Sequence, residues 1–348
     1  MEEKNQNSII KRFYRSSVFW PLVCLVLLLI FNLVINPGFL NVKIKNGHLF
    51  GDLIDILNHS VPLMLISLGM TIVIATQGID ISVGSIIAIS ACVSATVLAS
   101  TGGNVFAAVV SGIVVGIICG MWNGMLVSFI GVQPMVGTLI LYIVGRGVAQ
   151  LITGGQILTF TNKSFIFIGT GYIFVPFAVY IAIVCVFLMY FVMRKTALGL
   201  FVEAIGINNT ASKYSGIKSK KIIFLLYVIC GVLAGIAGII ICSNIKSADA
   251  NNAGLWMELD AILATVIGGT SMNGGRFYLG GTVVGALFIQ TLTTTVYSMG
   301  VAPEVILVVK AIVVIVVCLI QSPDFRKMLT KKSKPKNNNY DVKKVAQV

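Results

Sequence analysis

Apolar runs of about twenty residues recur along the whole chain, each bounded by Gly, Pro, Asn or charge, and nothing else in the sequence restricts the fold so strongly. They fall near 18–35, 56–76, 82–100, 105–130, 134–152, 172–193, 222–242, 256–269, 278–298 and 304–321. Twenty residues of helix rise about 30 Å, the thickness of a bilayer's hydrocarbon core. The runs are continuously apolar, where barrel strands would alternate over about ten residues, so they predict helices. With 57% hydrophobic and 11% charged residues in 348, against roughly 25% charged for a soluble domain, the chain reads as an all-α integral membrane protein of about ten transmembrane helices.

The net charge of +13 would suggest nucleic-acid binding in a soluble protein. Here the positive residues collect in the N-terminal tail, in the loop Arg194 to Lys221, and in the tail after Ser322. All three are expected to face the cytoplasm. If both ends and that loop share one side, the span counts before and after the loop are even. Six runs and four runs satisfy this. The expected organisation is a cytoplasmic tail, 1–16, a permease domain, 17–322, with a cytoplasmic loop at 194–221, and a basic tail, 323–348, that reads as disordered. The first run follows Lys11, Arg12 and Arg15 but lacks a small-residue cleavage site, so it reads as a retained span rather than a signal peptide.

Two segments break the pattern of complete helices. Gln77-Gly78-Ile79-Asp80 interrupts an apolar stretch, and Asp80 would cost about 2.5–3.5 kcal/mol at a helix centre. It is therefore either part of a tight polar turn, with Ser82 capping the next helix, or a functional group at an aqueous face or cavity. After Glu258-Leu259-Asp260, the run Ala261 to Gly269 covers only about 14 Å. Either its helix begins earlier, near Leu255 and Trp256, or it is a half-helix whose irregular backbone is buried in protein. Glu258 and Asp260 are placed to cap its positive end, and a purely capping role is expected of them. Arg146, between Gly145 and Gly147, is expected to snorkel to the interface.

Glycines at helical spacing, Gly112, Gly116, Gly120 and Gly231, Gly235, Gly238, predict close helix packing. Cysteines such as Cys92, Cys119, Cys230 and Cys318 lack C-x-x-C spacing, and His48 and His59 lack partner ligands, so neither a metal site nor a disulfide framework is signalled. No nucleophile elbow, dinucleotide fingerprint or G-x-x-x-x-G-K-[ST] loop occurs, and no polar cluster suits an enzyme acting on lipid. Any ATP driving transport would therefore be hydrolysed by another subunit. The acids Asp80, Asp249, Glu258, Asp260 and Glu304 lie near span ends, which weakens an ion-coupled carrier as an alternative. Within Leu198 to Ile207, apolar residues recur at helical spacing, predicting a short surface helix that docks on a partner or lies on headgroups.

The loop Glu203-Ala204-Ile205-Gly206-Ile207-Asn208-Asn209-Thr210-Ala211-Ser212-Lys213-Tyr214-Ser215-Gly216-Ile217 resembles the cytoplasmic coupling loop of the ribose/galactose-type permeases of ATP-binding cassette importers. Gly78-Ile79-Asp80-Ile81-Ser82-Val83-Gly84, Glu258-Leu259-Asp260-Ala261-Ile262 and Ile267-Gly268-Gly269-Thr270-Ser271 with Gly274-Gly275 resemble further motifs of that family, in its order. Ala253 to Glu258, the Gly274-Gly275-Arg276-Phe277 turn and Ile320 to Phe325 look most like a galactofuranose importer permease; Ser212 departs from the family's alanine.

The resemblance implies a type II importer-like bundle with some discontinuous helices in a bacterial cytoplasmic membrane. It also implies a second permease copy or paralogue, an ATPase subunit carrying ATP and Mg, a periplasmic or lipid-anchored sugar-binding protein, and no cofactor or metal on this chain. Coupling would fall to Glu203, Ala204, Gly206, Asn208, Ser215 and Gly216. The residues singled out for a pathway or gate are Gln77, Asp80, Ser82, Glu258, Asp260, Gly268, Gly269 and Thr270. A nucleoside permease of the same superfamily is the nearest alternative.

Overall fold

The computed structural model describes residues 18–45 and 47–321. The expected tails, 1–16 and 323–348, lie outside the described residues. Thirteen α-helices follow one another among those described: α1 Phe19–Ile35, α2 Asp52–Ala75, α3 Val83–Ser100, α4 Val105–Gly124, α5 Pro134–Thr153, α6 Lys163–Thr170, α7 Phe177–Lys195, α8 Ala197–Ile207, α9 Asn209–Tyr214, α10 Ser219–Ile245, α11 Met257–Ile267, α12 Leu279–Ser298 and α13 Pro303–Gln321. A π-helical run, Met125–Ile130, widens the end of α4. Two small antiparallel pairs complete the fold: β1 Lys43–Lys45 with β2 His48–Phe50, and β3 Leu158–Thr159 with β4 Ser247–Ala248.

Each of the ten apolar runs contains a helix, but they are not ten equal spans. Seven helices are long and apolar enough to cross a membrane: α2, α3, α4 with its π-helical end, α5, α7, α10 and α12. The shorter α1 has 17 residues. With 11 residues, α11 rises about 16 Å and is the half-helix that its length allowed. Trp256, just before it, sits at φ 63°, so the helix does not extend back through Leu255.

Successive helices run up and down between two ends of the bundle. One end, here end A, gathers the α2–α3 junction, the loop from α7 to α10 and the turn after α11, tied by hydrogen bonds from Gln77 to Gly206 and Asn273. The opposite end B carries both β pairs, with Leu49 N–H bonded to Phe174 O at 3.1 Å. The first of these pairs follows α1 and precedes α2.

At the centre, α2 and α3 are buried almost throughout, whereas α4, α5 and α7 bury about a quarter of their most apolar stretches, 28%, 22% and 22%. Helices apolar on all sides yet exposed on most of them are suited to lipid. Between helices there is little hydrophobic gain in lipid, so association depends on close packing and hydrogen bonds. The glycine series of α4 and α10 supply the packing: a Cβ on Gly116 would strike Gly231 O, and one on Gly231 would strike Gly116 O and lie 2.8 Å from the Gly120 Cα. Hydrogen bonds do the rest. Ser90 Oγ, on α3, donates to Gly235 O of α10 at 2.8 Å and to Gly112 O of α4 at 3.1 Å, and Asn32 of α1 donates to Thr295 of α12 at 2.7 Å.

Replacing Gly231 by leucine is expected to destabilise the bundle by about 1–3 kcal/mol or more, since neither facing backbone can retreat. A thermal melt in detergent, with Gly280→Leu as the control because a side chain there meets open space, checks it. An unchanged melting temperature for Gly231→Leu would remove the packing role.

Candidate functional site

At end A, α8 forms because Thr196 caps it, accepting from Leu198 N–H at 3.2 Å, and because its apolar positions split into two faces. Val202, Ile205 and Gly206 turn inward and are buried, while Leu200 and Ile207, each 73% exposed, and Tyr214 of α9, 89% exposed, turn outward. The inner face is held tightly. Gln77, at φ 64°, donates through Nε2 to Gly206 O at 2.9 Å and to Asn273 O at 3.0 Å. Gly275 N–H donates to Ala75 O at 2.9 Å. A Cβ on Gly206 would strike both Ala75 O and Gly275 N.

Arg194, ending α7, completes this junction. It donates to Phe277 O at 3.1 Å, lies 5.3 Å from the centre of the Phe277 ring and pairs with Glu203 at 3.7 Å. One exposed helix thus bears on the end of α2, the end of α7 and the turn that follows α11. Asn208 caps α9 by accepting from Ala211 N–H at 2.9 Å; Ser215 donates to Ala211 O at 3.1 Å and Gly216, at φ 83°, turns the chain into α10. Ala204 is half-buried.

Further into the bundle, Asp80 is wholly buried and accepts from Ser82 N–H at 3.0 Å and Ser82 Oγ at 2.6 Å. Ser82 does not cap α3 with its side chain. Asn123 of α4 joins them, donating to Ser82 Oγ at 2.7 Å and to Asp80 at 3.3 Å. The Tyr227 hydroxyl is also buried and has no hydrogen-bond partner among the described residues.

The chain between α10 and α11 enters the bundle from end B. Arg146 draws it in: one guanidinium nitrogen donates to Ala250 O at 3.1 Å, Asn251 O at 3.3 Å and Ala253 O at 2.6 Å. Arg146 is thus held through Nη1 by backbone carbonyls of a neighbouring segment, while its Nε and Nη2 are buried with no partner among the described residues, and the snorkelling expected for it is replaced by this contact. Partial burial raises the Asp249 carboxyl, but the Asn252 side chain, the backbone N–H groups of Asn251 and Asn252 and the charge of Arg146 outweigh it and hold the group below the usual carboxylate range.

Glu258 and Asp260 both lie in the first turn of α11, at its positive end. Glu258 is 2% exposed, against the backbone at Gly84, and Asp260 Oδ2 accepts from Lys310 of α13 at 2.7 Å. The purely capping role expected of both is corrected for Asp260 by this ion pair. At the other end of α11, Gly268 packs on Gly281, Gly269 N–H bonds Val266 O at 2.9 Å, and Thr270 Oγ1 accepts from Tyr278 N–H at 3.2 Å.

The eight residues singled out for a pathway therefore do not converge. Gln77 belongs to the end-A junction, Asp80 and Ser82 to one buried cluster, Glu258 and Asp260 to the start of α11, and Gly268, Gly269 and Thr270 to its finish. In the sequence Arg146 stands out by its charge alone, Asn123 leaves no signal, and only the rarity of a lysine inside an apolar run points to Lys310.

The sequence profile of the family described as branched-chain amino acid transport system / permease component matches residues 53–318, from α2 into α13. The chain belongs to this family. It is thus the membrane component of a transporter. Among curated relatives of this permease, the galactofuranose transporter permease protein of Escherichia coli K12 is 47% identical, covering 90% of this chain and 93% of its own length. The fructose import permease protein of Bifidobacterium longum is 39% identical over 91% of each chain, and the ribose import permease protein of E. coli K12 is 33% identical over 86% of this chain and 92% of its own. No solved structure matches this permease.

Proposed function

We propose that this permease is the membrane subunit of an ATP-driven importer that carries a monosaccharide of the galactofuranose, galactose or ribose class into the bacterial cytoplasm. The observation that carries the reading is α8: an exposed helix whose outward apolar residues Leu200 and Ile207 continue in Tyr214 of α9, and whose inner face is bonded to Gln77 and Arg194 and packs on Gly275. An apolar helix face needs a groove to receive it, and the nucleotide-binding subunit supplies one. Motion imposed on α8 reaches α2 through Gln77 and α11 through Asn273 and Gly275. ATP and Mg2+ belong to that separate subunit.

End A carries Arg194, Lys195, Lys213, Lys218, Lys220, Lys221 and Arg276, and we assign it to the cytoplasm on that charge. Both termini then share the cytoplasmic side, the permease domain is 17–322 and the coupling loop 194–221. A sugar-binding protein delivers cargo at end B, and a second permease copy or paralogue completes the pathway. Glu203, Ala204, Gly206, Asn208, Ser215 and Gly216 are assigned to coupling. Sugar rather than branched-chain amino acid is preferred as cargo because the relatives above, of which the first shares nearly half its residues with this chain, are named for sugars.

Proteoliposomes containing the permease, its ATPase and the binding protein test this. Uptake is expected to require ATP, to stop with vanadate and to survive collapse of proton and sodium gradients. Competition with galactose, ribose, a nucleoside and leucine identifies the class. Uptake that persists without ATP and stops with the gradient would establish an ion-coupled carrier instead.

A further inference from the structure

Three of the large cavities are lined almost wholly by apolar side chains, such as the groove of Leu27 and Phe31 on α1 against α12 and α13. A fourth is different. It encloses about 490 Å3 between α2, α10, α11, α12 and α13, and its wall includes His59, Asn252, Asp260, Gln290, Thr293 and Lys310. That volume lies within the roughly 300–1,000 Å3 usual for small-molecule sites.

Its depth follows from the helices. His59 lies in the first turns of α2, Thr293 in the last turns of α12 and Lys310 in the early turns of α13, all in the half of the bundle nearest end B. Asp260 lies in the first turn of the half-helix α11, whose entry chain dips inward from end B. The cavity therefore opens within the half that faces outward under the proposed orientation, and its floor is where α11 begins.

Ionisable groups at such depth are costly and face the bundle interior or water. Lys310 and Asp260 compensate each other at 2.7 Å, with side chains 11% and 19% exposed. The pair leaves capacity unused. An ammonium has three hydrogens to donate and a carboxylate has two acceptor oxygens; among the described residues one bond, from Nζ to Oδ2, joins the two side chains and none reaches Oδ1. A solute hydroxyl can donate to the carboxylate and accept from the ammonium together. A charged solute would find its charge opposed by one member of a pair that is already neutral.

Resting on the importer reading above, we infer that this cavity is the outward chamber that accepts the sugar and that Asp260 and Lys310 select an uncharged polyhydroxyl solute. Gln290 and Thr293 line the chamber beside them, and α11 connects the pair to the end-A junction, so release of the solute can follow movement of α8.

The test uses the complete importer in proteoliposomes, with the Gln290→Cys and Thr293→Cys variants. A charged, membrane-impermeant thiosulfonate added at end B is expected to label both above the wild-type background and to leave Leu27→Cys, in the apolar groove, unlabelled. Millimolar galactose or ribose should slow labelling at Thr293→Cys severalfold, and galacturonate should not. Lys310→Met and Asp260→Asn should each lower uptake at least severalfold, with the amount of assembled complex checked by size exclusion. Absence of labelling at both positions, or labelling that no sugar slows in preparations that import normally, would overturn the chamber. Equal protection by galacturonate would overturn the selection by the pair. A wild type with no ATP-driven uptake would instead defeat the importer reading, since the labelling does not depend on ATP.

Discussion

Replacing Gly206 by valine is expected to separate ATP hydrolysis from uptake. Alpha-helix α8 would still present Leu200 and Ile207 to the ATPase, but its inner face could not close on Ala75 O and Gly275 N, which already touch the space a Cβ would fill. Backbone atoms on both sides leave no flexible side chain to yield. Overpacking costs about 1–3 kcal/mol, equivalent to weakening the docked arrangement roughly 5- to 150-fold. ATP-dependent uptake in proteoliposomes should fall by a factor of that order while hydrolysis and the amount of inserted protein are retained. Gly280→Val serves as the control, since no neighbour lies near its Cβ direction. Uptake by Gly206→Val equal to wild type, with normal hydrolysis, would remove α8 from the coupling path.

Asp80 governs the second large effect, which is on folding. It joins the segment after α2 to α4 through Ser82 and Asn123, all three residues fully buried. Asp80→Ala would leave the Ser82 N–H and hydroxyl without their acceptor, and each buried unsatisfied group costs about 1–3 kcal/mol. A marked drop in melting temperature and in recovered protein is expected. Asp80→Asn keeps an acceptor oxygen for Ser82 and should retain most of the stability. Were Asp80 instead a group in the sugar's path, Asp80→Asn would abolish uptake at unchanged melting temperature, and the two measurements distinguish these outcomes.

These assignments show which features a sequence of this kind discloses. Helices are legible because crossing lipid demands about twenty apolar residues in succession, and the half-helix because Ala261 to Gly269 is too short to cross. The surface helix at 198–207 and the close-packing faces of the Gly112 and Gly231 series were also legible, from periodicity and from small-residue spacing. Interhelical partners were not. Asp260 meets Lys310 across fifty positions, and Asp80 meets Asn123 across forty-three. Such meetings depend on the rotation and depth of two helices at once, and neither leaves a local pattern. Arg146 illustrates the same limit: its charge is evident, but the carbonyls that bond its Nη1 belong to an irregular segment that enters the bundle more than a hundred residues later. The Glu258 and Asp260 carboxylates looked alike because both occupy a first helical turn; only packing separates the one against Gly84 from the one facing the cavity.

The coupling role proposed for α8 requires it to be the surface through which a nucleotide-burning subunit acts. Photocrosslinking in the assembled complex examines this directly, with a photoreactive residue placed either at Ile207, 73% exposed on α8, or at Phe106, 79% exposed near end B on α4. Capture of the ATPase subunit from Ile207 and none from Phe106 is the predicted result; capture from Phe106 and none from Ile207 would contradict it.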